Sequence, residues 1–147
     1  MPDEPRVIVV DASVVLKWQL YDEECISQAR ALKHDIYVRG VLKVIAPQLM
    51  AYEVVNGLVT AVRRKRLTPD QARESISNLV VLDIELRQVQ PAGLLDKAIK
   101  FNLTAYDAAY LALAEEEKCD LWTGDKAFYI AMRSTSSYVK WIGDYAA

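Results

Sequence analysis

Cysteine is scarce in this chain. Cys25 and Cys119 are the only two and lie far apart, which excludes a disulfide framework and a Cys-x-x-Cys redox or zinc motif and suits a reducing cytosol. Histidine is scarcer: His34 stands alone, has no second ligand in the pattern that would argue for zinc, and reads as an exposed residue near a helix end. Long apolar runs are absent as well. No window approaches the roughly 18 uncharged apolar residues of a membrane-spanning helix. The opening Met-Pro-Asp-Glu-Pro-Arg lacks the basic start and longer apolar stretch of a signal peptide. Neither sign of charge dominates, since 18 Lys and Arg against 20 Asp and Glu leave a net charge of −2. That balance does not advertise a polyanion binder, although a local basic patch can still serve one. Repeats, linkers and low-complexity segments are also missing, so 1–147 reads as one domain with its core at about 7–142.

What is present fits a folded domain. The 147 residues are 52% hydrophobic and 26% charged, enough to bury roughly two-thirds of the unfolded surface and too apolar for intrinsic disorder. Val7 to Val10 is apolar without alternation, the pattern of a strand buried on both faces. A short helix over Ala12 to Trp18, starting behind Ser13, should follow. Asp22 is a fair N-cap for a helix carrying Cys25, Ile26, Ala29 and Leu32. Val44-Ile45-Ala46 predicts a second strand, with Pro47 opening the next helix. That helix places Met50, Val54, Leu58 and Ala61 on one stripe and ends in Arg63-Arg64-Lys65-Arg66. Thr68-Pro69 opens another helix to about Leu79 or Val80. A third strand falls within Val81 to Val89, and Pro91 starts a further helix. Thr104 caps Ala105 to Lys118, Leu121-Trp122-Thr123 is a fourth strand, Lys126 to Met132 a short helix and Tyr138 to Ile142 a terminal strand. This alternation predicts an α/β fold in three layers, α/β/α, around a mainly parallel sheet with right-handed crossovers.

Four acidic residues sit in apolar surroundings: Asp11 after the first strand, Glu53 inside a helix, Asp107 early in another, and Asp125 after the fourth strand. Each has a plain structural explanation. Asp11 and Asp125 suit helix N-caps or turns, Asp107 stands three residues after Thr104 as in a capping box, and Glu53 suits an exposed helix face. Taken together they say more. Strand ends of an open parallel sheet face one crevice, and Glu53 and Asp107 can reach it from neighbouring helices. Carboxylates gathered there would stay protonated unless a cation neutralised them, and an oxygen-only ligand set favours Mg²⁺ or Mn²⁺.

Val10-Asp11-Ala12-Ser13, Tyr52-Glu53-Val54-Val55-Asn56, Asp107-Ala108-Ala109-Tyr110-Leu111-Ala112-Leu113-Ala114 and Leu121-Trp122-Thr123-Gly124-Asp125 together resemble the PIN-domain nucleases, especially the toxin ribonucleases of VapBC toxin–antitoxin modules. The resemblance runs from about Val7 to Ile142. It implies that Asp11, Glu53, Asp107 and Asp125 ligate one or two divalent cations and that Thr123 is the hydroxyl beside the last acid; we expect Asp11 and Asp125 as direct ligands, Asp107 direct or through water, and Glu53 on a second metal or orienting the attacking water. It implies an endoribonuclease that cleaves RNA with a cation-activated water, leaving a 5′-phosphate. A homodimer and an antitoxin covering the crevice belong to the same expectation. Ser13 and Thr123 would hold a carboxylate or a phosphate in place, unless they serve only local caps and turns.

Lys17, Arg63 and Arg64 are candidates for RNA phosphate contacts, the last two within the basic run. A helix C-terminus also favours such charge. Tyr21, Tyr52, Tyr106, Tyr110, Trp18 and Trp122 are possible base-stacking residues or core, while Trp18, Leu20 and Val38 look like apolar residues the core does not need. A phosphatase of the haloacid-dehalogenase kind would need a second Asp where Ser13 stands, and a receiver domain an acidic pair that is absent. A housekeeping RNA-processing nuclease and a non-catalytic binding module on the same fold remain alternatives.

Overall fold

The apolar run Val7 to Val10 is buried because it forms the middle strand of a five-stranded sheet. In the computed structural model, which describes residues 3–146, the elements follow in the order β1 Arg6–Val10, α1 Ala12–Lys17, α2 Ile26–Tyr37, β2 Leu42–Pro47, α3 Met50–Arg63, α4 Pro69–Val80, β3 Glu85–Arg87, α5 Pro91–Phe101, α6 Ala105–Glu117, β4 Leu121–Thr123, α7 Lys126–Met132 and β5 Val139–Trp141, with a final 3-10 turn at Ile142–Asp144. Met1 and Pro2 of the opening stretch read above lie outside the described residues.

The strand order is β3-β2-β1-β4-β5, and every described pair is parallel, with Ile8 opposite Val44 and Val10 opposite Trp122. Right-handed crossovers then place α1 to α4 on one face and α5 to α7 on the other. Helix α6 lies across β1, β2 and β4 and carries α5 on its outer side. Ile8, Val9, Val10, Ile45, Leu111 and Leu121 are fully buried between the layers. Capping follows local chemistry. Thr68 and Gln71 form a reciprocal capping box at α4, and the Thr104 hydroxyl accepts the Asp107 amide at 3.1 Å at the start of α6.

Four sequence expectations are corrected. Pro47 ends β2 instead of opening a helix; Gln48 continues the chain pairing by donating to the Arg87 carbonyl at 3.0 Å, and α3 starts at Met50. Asp22 is not an N-cap. Helix α2 begins after Cys25, which takes a left-handed conformation at φ 58°, and the Asp22 carboxylate instead receives two bonds from Arg66, at 2.8 and 2.7 Å. Helix α1 is capped by Asp11, with Ser13 already inside it. Trp18 and Leu20 belong to the core, the indole N–H of Trp18 donating to the Ala29 carbonyl at 2.9 Å, whereas Val38 is exposed. His34 is exposed near the end of α2, as expected. Among the described residues no helix is long and apolar enough to cross a membrane.

Candidate active site

Strands β1 and β4 are neighbours, and the chain leaves them toward opposite edges of the sheet. Their carboxyl ends therefore flank the crevice where ligands bind in open parallel sheets. Asp11 directly follows β1, and Asp125 follows β4 by two residues. Both also cap helices. Asp11 accepts the Val14 amide at 3.3 Å and Asp125 the Phe128 amide at 3.1 Å. The capping and site roles thus coincide, because a strand turning into a helix at the crevice needs a cap at the same position.

Two hydroxyls fasten the Asp11 carboxylate. Ser13 Oγ donates to one oxygen and Thr123 Oγ1 to the other. Each hydroxyl accepts a backbone amide in turn: Gly124 N–H donates to Ser13 at 2.8 Å, and Asp125 N–H donates to Thr123 at 3.0 Å. A hydroxyl has one proton. With its acceptor side occupied by an amide, each must give that proton to Asp11, so the arrangement favours the ionised carboxylate. Burial opposes this more strongly. Asp11 is only 8% exposed, and desolvation pushes its pKa up to about 6 against the hydrogen bonds from Ser13, Thr123 and Val14, with the Asp125 charge adding to the rise.

Glu53 reaches the crevice from α3 and Asp107 from α6. Burial, then the charges of Asp125 and Glu53, raise the pKa of the half-buried Asp107, so these side chains share one electrostatic field. Tyr110, one helical turn beyond Asp107, is buried. Its hydroxyl faces Glu53, with Asp11 and the Ala12 amide nearby, and burial and the Glu53 carboxylate drive its pKa sharply up. That oxygen closes no hydrogen bond. None of the four acids has an ion-pair partner among the described residues. Oxygen donors, mutual repulsion and an orphaned buried hydroxyl fit a hard divalent cation. Among the described residues no three Asp, Glu, His or Cys side chains are grouped closely enough to hold one as they stand.

Lys17 is buried behind this network. Its ammonium donates to the Glu24 carbonyl at 2.7 Å, which uses one of its three donors, so it is burial that limits its reach to a phosphate. A Cβ on Gly124 would lie 2.6 Å from Lys17 Cε and 3.2 Å from Ser13 Oγ, which shows how tightly the turn after β4 packs there. In the basic run, Arg63, Arg64 and Lys65 are exposed, while Arg66 pairs with Asp22 and Glu23. Of the aromatic candidates, Trp18, Trp122 and Tyr110 are buried, and Tyr21, Tyr52 and Tyr106 are exposed. Sequence reasoning gave Tyr110 no role beside Glu53. Its one available signal was the three-residue spacing from Asp107, which puts both on one helix face.

A family model for the PIN domain matches residues 8–132, a span that includes all four acids. Ribonuclease VapC9 of Mycobacterium tuberculosis is 35% identical over 121 residues, 81% of this chain and 86% of that protein. Ribonuclease VapC3 of Pyrobaculum aerophilum is 32% identical over 123 residues, 81% and 89% of the respective chains. Among solved structures, PAE2754 from Pyrobaculum aerophilum superposes with a TM-score of 0.68 at 23% identity, over 93% of this chain and 84% of that one. VapC20 of Mycobacterium tuberculosis, a Sarcin-Ricin loop cleaving toxin, does so at 0.59 with 15% identity, over 84% and 94%. At these identities the structural likenesses establish the fold.

Proposed function

The chain belongs to the PIN-domain family and, within it, to the VapC ribonucleases, and from that premise we propose that it is a metal-dependent endoribonuclease, the toxin of a cytoplasmic toxin–antitoxin pair. One observation supports the reading: Asp11 and Asp107 each feel the Asp125 charge and Asp107 also feels that of Glu53, and among the described residues none of the four has a cationic partner.

Asp11, Asp125 and Asp107 would hold one or two Mg²⁺ or Mn²⁺ ions, with Glu53 as a further ligand or as the group orienting the attacking water. A cation held there lowers the pKa of water and offsets the charge of the cleaved phosphodiester. The protein's part is positional. Ser13 and Thr123 fix the Asp11 carboxylate in one orientation, and the caps on α1 and α7 lock the main chain beneath it. The same reading assigns a homodimer and an antitoxin that inserts an Arg or Lys into the acidic crevice.

The test is cleavage of single-stranded RNA with Mg²⁺ or Mn²⁺ added, compared with the same reaction in chelator, for the parent and for Asp11→Asn and Asp125→Asn. Cleavage should require the ion and vanish in both variants while their circular dichroism stays that of the parent. Cutting that persists in chelator, or in both variants, overturns the proposal.

A further inference from the structure

The carboxyl edge of the sheet continues past the acids to a cluster the chemistry above does not use. Trp141 closes β5, and the parallel register sets it opposite Thr123, the residue whose hydroxyl holds Asp11. Lys126 follows Asp125 as the first residue of α7, and its ammonium sits 4.4 Å from the centre of the Trp141 ring and 5.6 Å from that of Tyr129. The Trp141 and Tyr129 rings are 6.1 Å apart with a 34° tilt. Both are partly exposed and Lys126 is exposed, unlike the buried Trp18 and Trp122.

We infer that Trp141 and Tyr129 form a platform on which one base of a single-stranded RNA stacks, with Lys126 holding the adjoining phosphate; the inference rests on the ribonuclease reading for its substrate. The chemistry is that of single-strand recognition, in which an aromatic face takes a base of any sequence and a nearby cation takes the backbone. The place argues for it as well. A strand whose phosphate lies at Asp11 and Asp125 must leave the crevice along some edge of the sheet. Four carboxylates repel its backbone there, and Lys126 is the next residue after Asp125. The ammonium lies over the ring faces, so it must swing aside toward the phosphate as a base stacks, and among the described residues it has no acidic partner to hold it back. The tight approach of Gly143 fixes the indole: a Cβ there would fall 2.3 Å from Trp141 Nε1.

The experiment measures binding of a single-stranded RNA oligonucleotide in chelator, by fluorescence anisotropy, so that no cation supports cleavage and binding stands apart from catalysis. Trp141→Leu should raise Kd about tenfold, within the range for losing one stacked base, and Trp141→Phe should restore most of it. Lys126→Gln, a surface change, should flatten the salt dependence by about 0.7 in log–log slope. Oligonucleotides with one abasic site moved along the strand should reveal a single position whose loss matches Trp141→Leu and adds nothing to that variant. Unchanged binding by both Trp141→Leu and Lys126→Gln, or abasic strands that all bind like the parent strand, overturns the platform even if the protein cuts RNA. Tenfold weaker binding of a basic antitoxin-like peptide, with RNA binding untouched, would also overturn it and assign the surface to a protein partner. A parent that binds through Trp141 but cuts nothing leaves the platform standing and removes the nuclease reading instead.

Discussion

Thr123 and Asp11 lie 112 residues apart in the chain, and the hydroxyl of the first donates to the carboxylate of the second. Replacing Thr123 by Val removes a donor from a buried charge, which costs about 2 kcal/mol. Thr123→Ser keeps it. Urea unfolding in chelator at pH 7 should show the loss for Val and little change for Ser. At pH 5, where Asp11 is largely protonated, the difference should shrink; an equal loss at both values would mean that the hydroxyl does not act through the charge.

The raised pKa of Asp11 makes the metal-free protein more stable in mild acid. Its folded value, about 6, stands above the ordinary 3.8, so between these values the folded state binds more protons than the unfolded one. Stability from this group is complete below about pH 4 and is lost as pH rises through 6. Melting in chelator should therefore occur several degrees higher at pH 5 than at pH 7, and Asp11→Asn should abolish most of that difference. A divalent ion competes with the same proton, so its stabilisation should be larger at pH 7 than at pH 5. An ion-induced Tm shift that ignores pH would count against Asp11 as a ligand.

Tyr110→Phe deletes a buried hydroxyl that has no partner. Deleting an unsatisfied group is neutral or stabilising, so Tm in chelator should hold or rise by about 1–2 °C. RNA cleavage should nevertheless fall, because the Glu53 carboxylate loses the phenol that faces it. A destabilised variant with full activity would show the reverse, a structural hydroxyl.

Gly124→Ala puts a methyl group against Lys17 and Ser13. The buried lysine and the Asp11 network must then shift, at a cost of about 1–3 kcal/mol. Calorimetry should find a lower Tm than the parent, whereas Gly93→Ala, inside α5 and with nothing within 4 Å of its Cβ, should hold or raise it.

Arg63 and Arg64 are exposed beside the ion-paired Arg66. If they grip phosphates, changing both to Gln weakens binding of every single-stranded sequence and lowers the salt slope by about 0.7 per lost contact. The rate at saturating RNA should stay near that of the parent. An unchanged salt slope would leave the pair as helix-end charge on α3.

Local signals wrote much of this fold openly. The β-branched run of β1, the Thr68-Pro69 start and the Thr104 cap are short-range features, and each element formed where its own residues dictate. Pro47 misled because a proline suits a helix start and the pairing of Gln48 with Arg87 is invisible locally. Asp22 misled for the same reason, its partner Arg66 being 44 residues away. The four acids could be picked out by their apolar settings. Ser13 and Thr123 are legible as hydroxyls that could hold a carboxylate, and Asp11 is the one they hold; the orphaned Tyr110 hydroxyl and the register of Trp141 with Thr123 depend on strand order, which no window of sequence contains.

The central pairing of β1 with β4 also imposes a timetable on synthesis. Asp11 is made 112 residues before Thr123, so its carboxylate must wait for β4 to arrive beside β1. A chain stalled or cut before β4 owns the aspartate but not the Thr123 hydroxyl that aligns it from across the sheet. For a chain of the proposed activity, the site is complete only once β4 has been made and paired with β1, so copies that stop before it are born unarmed.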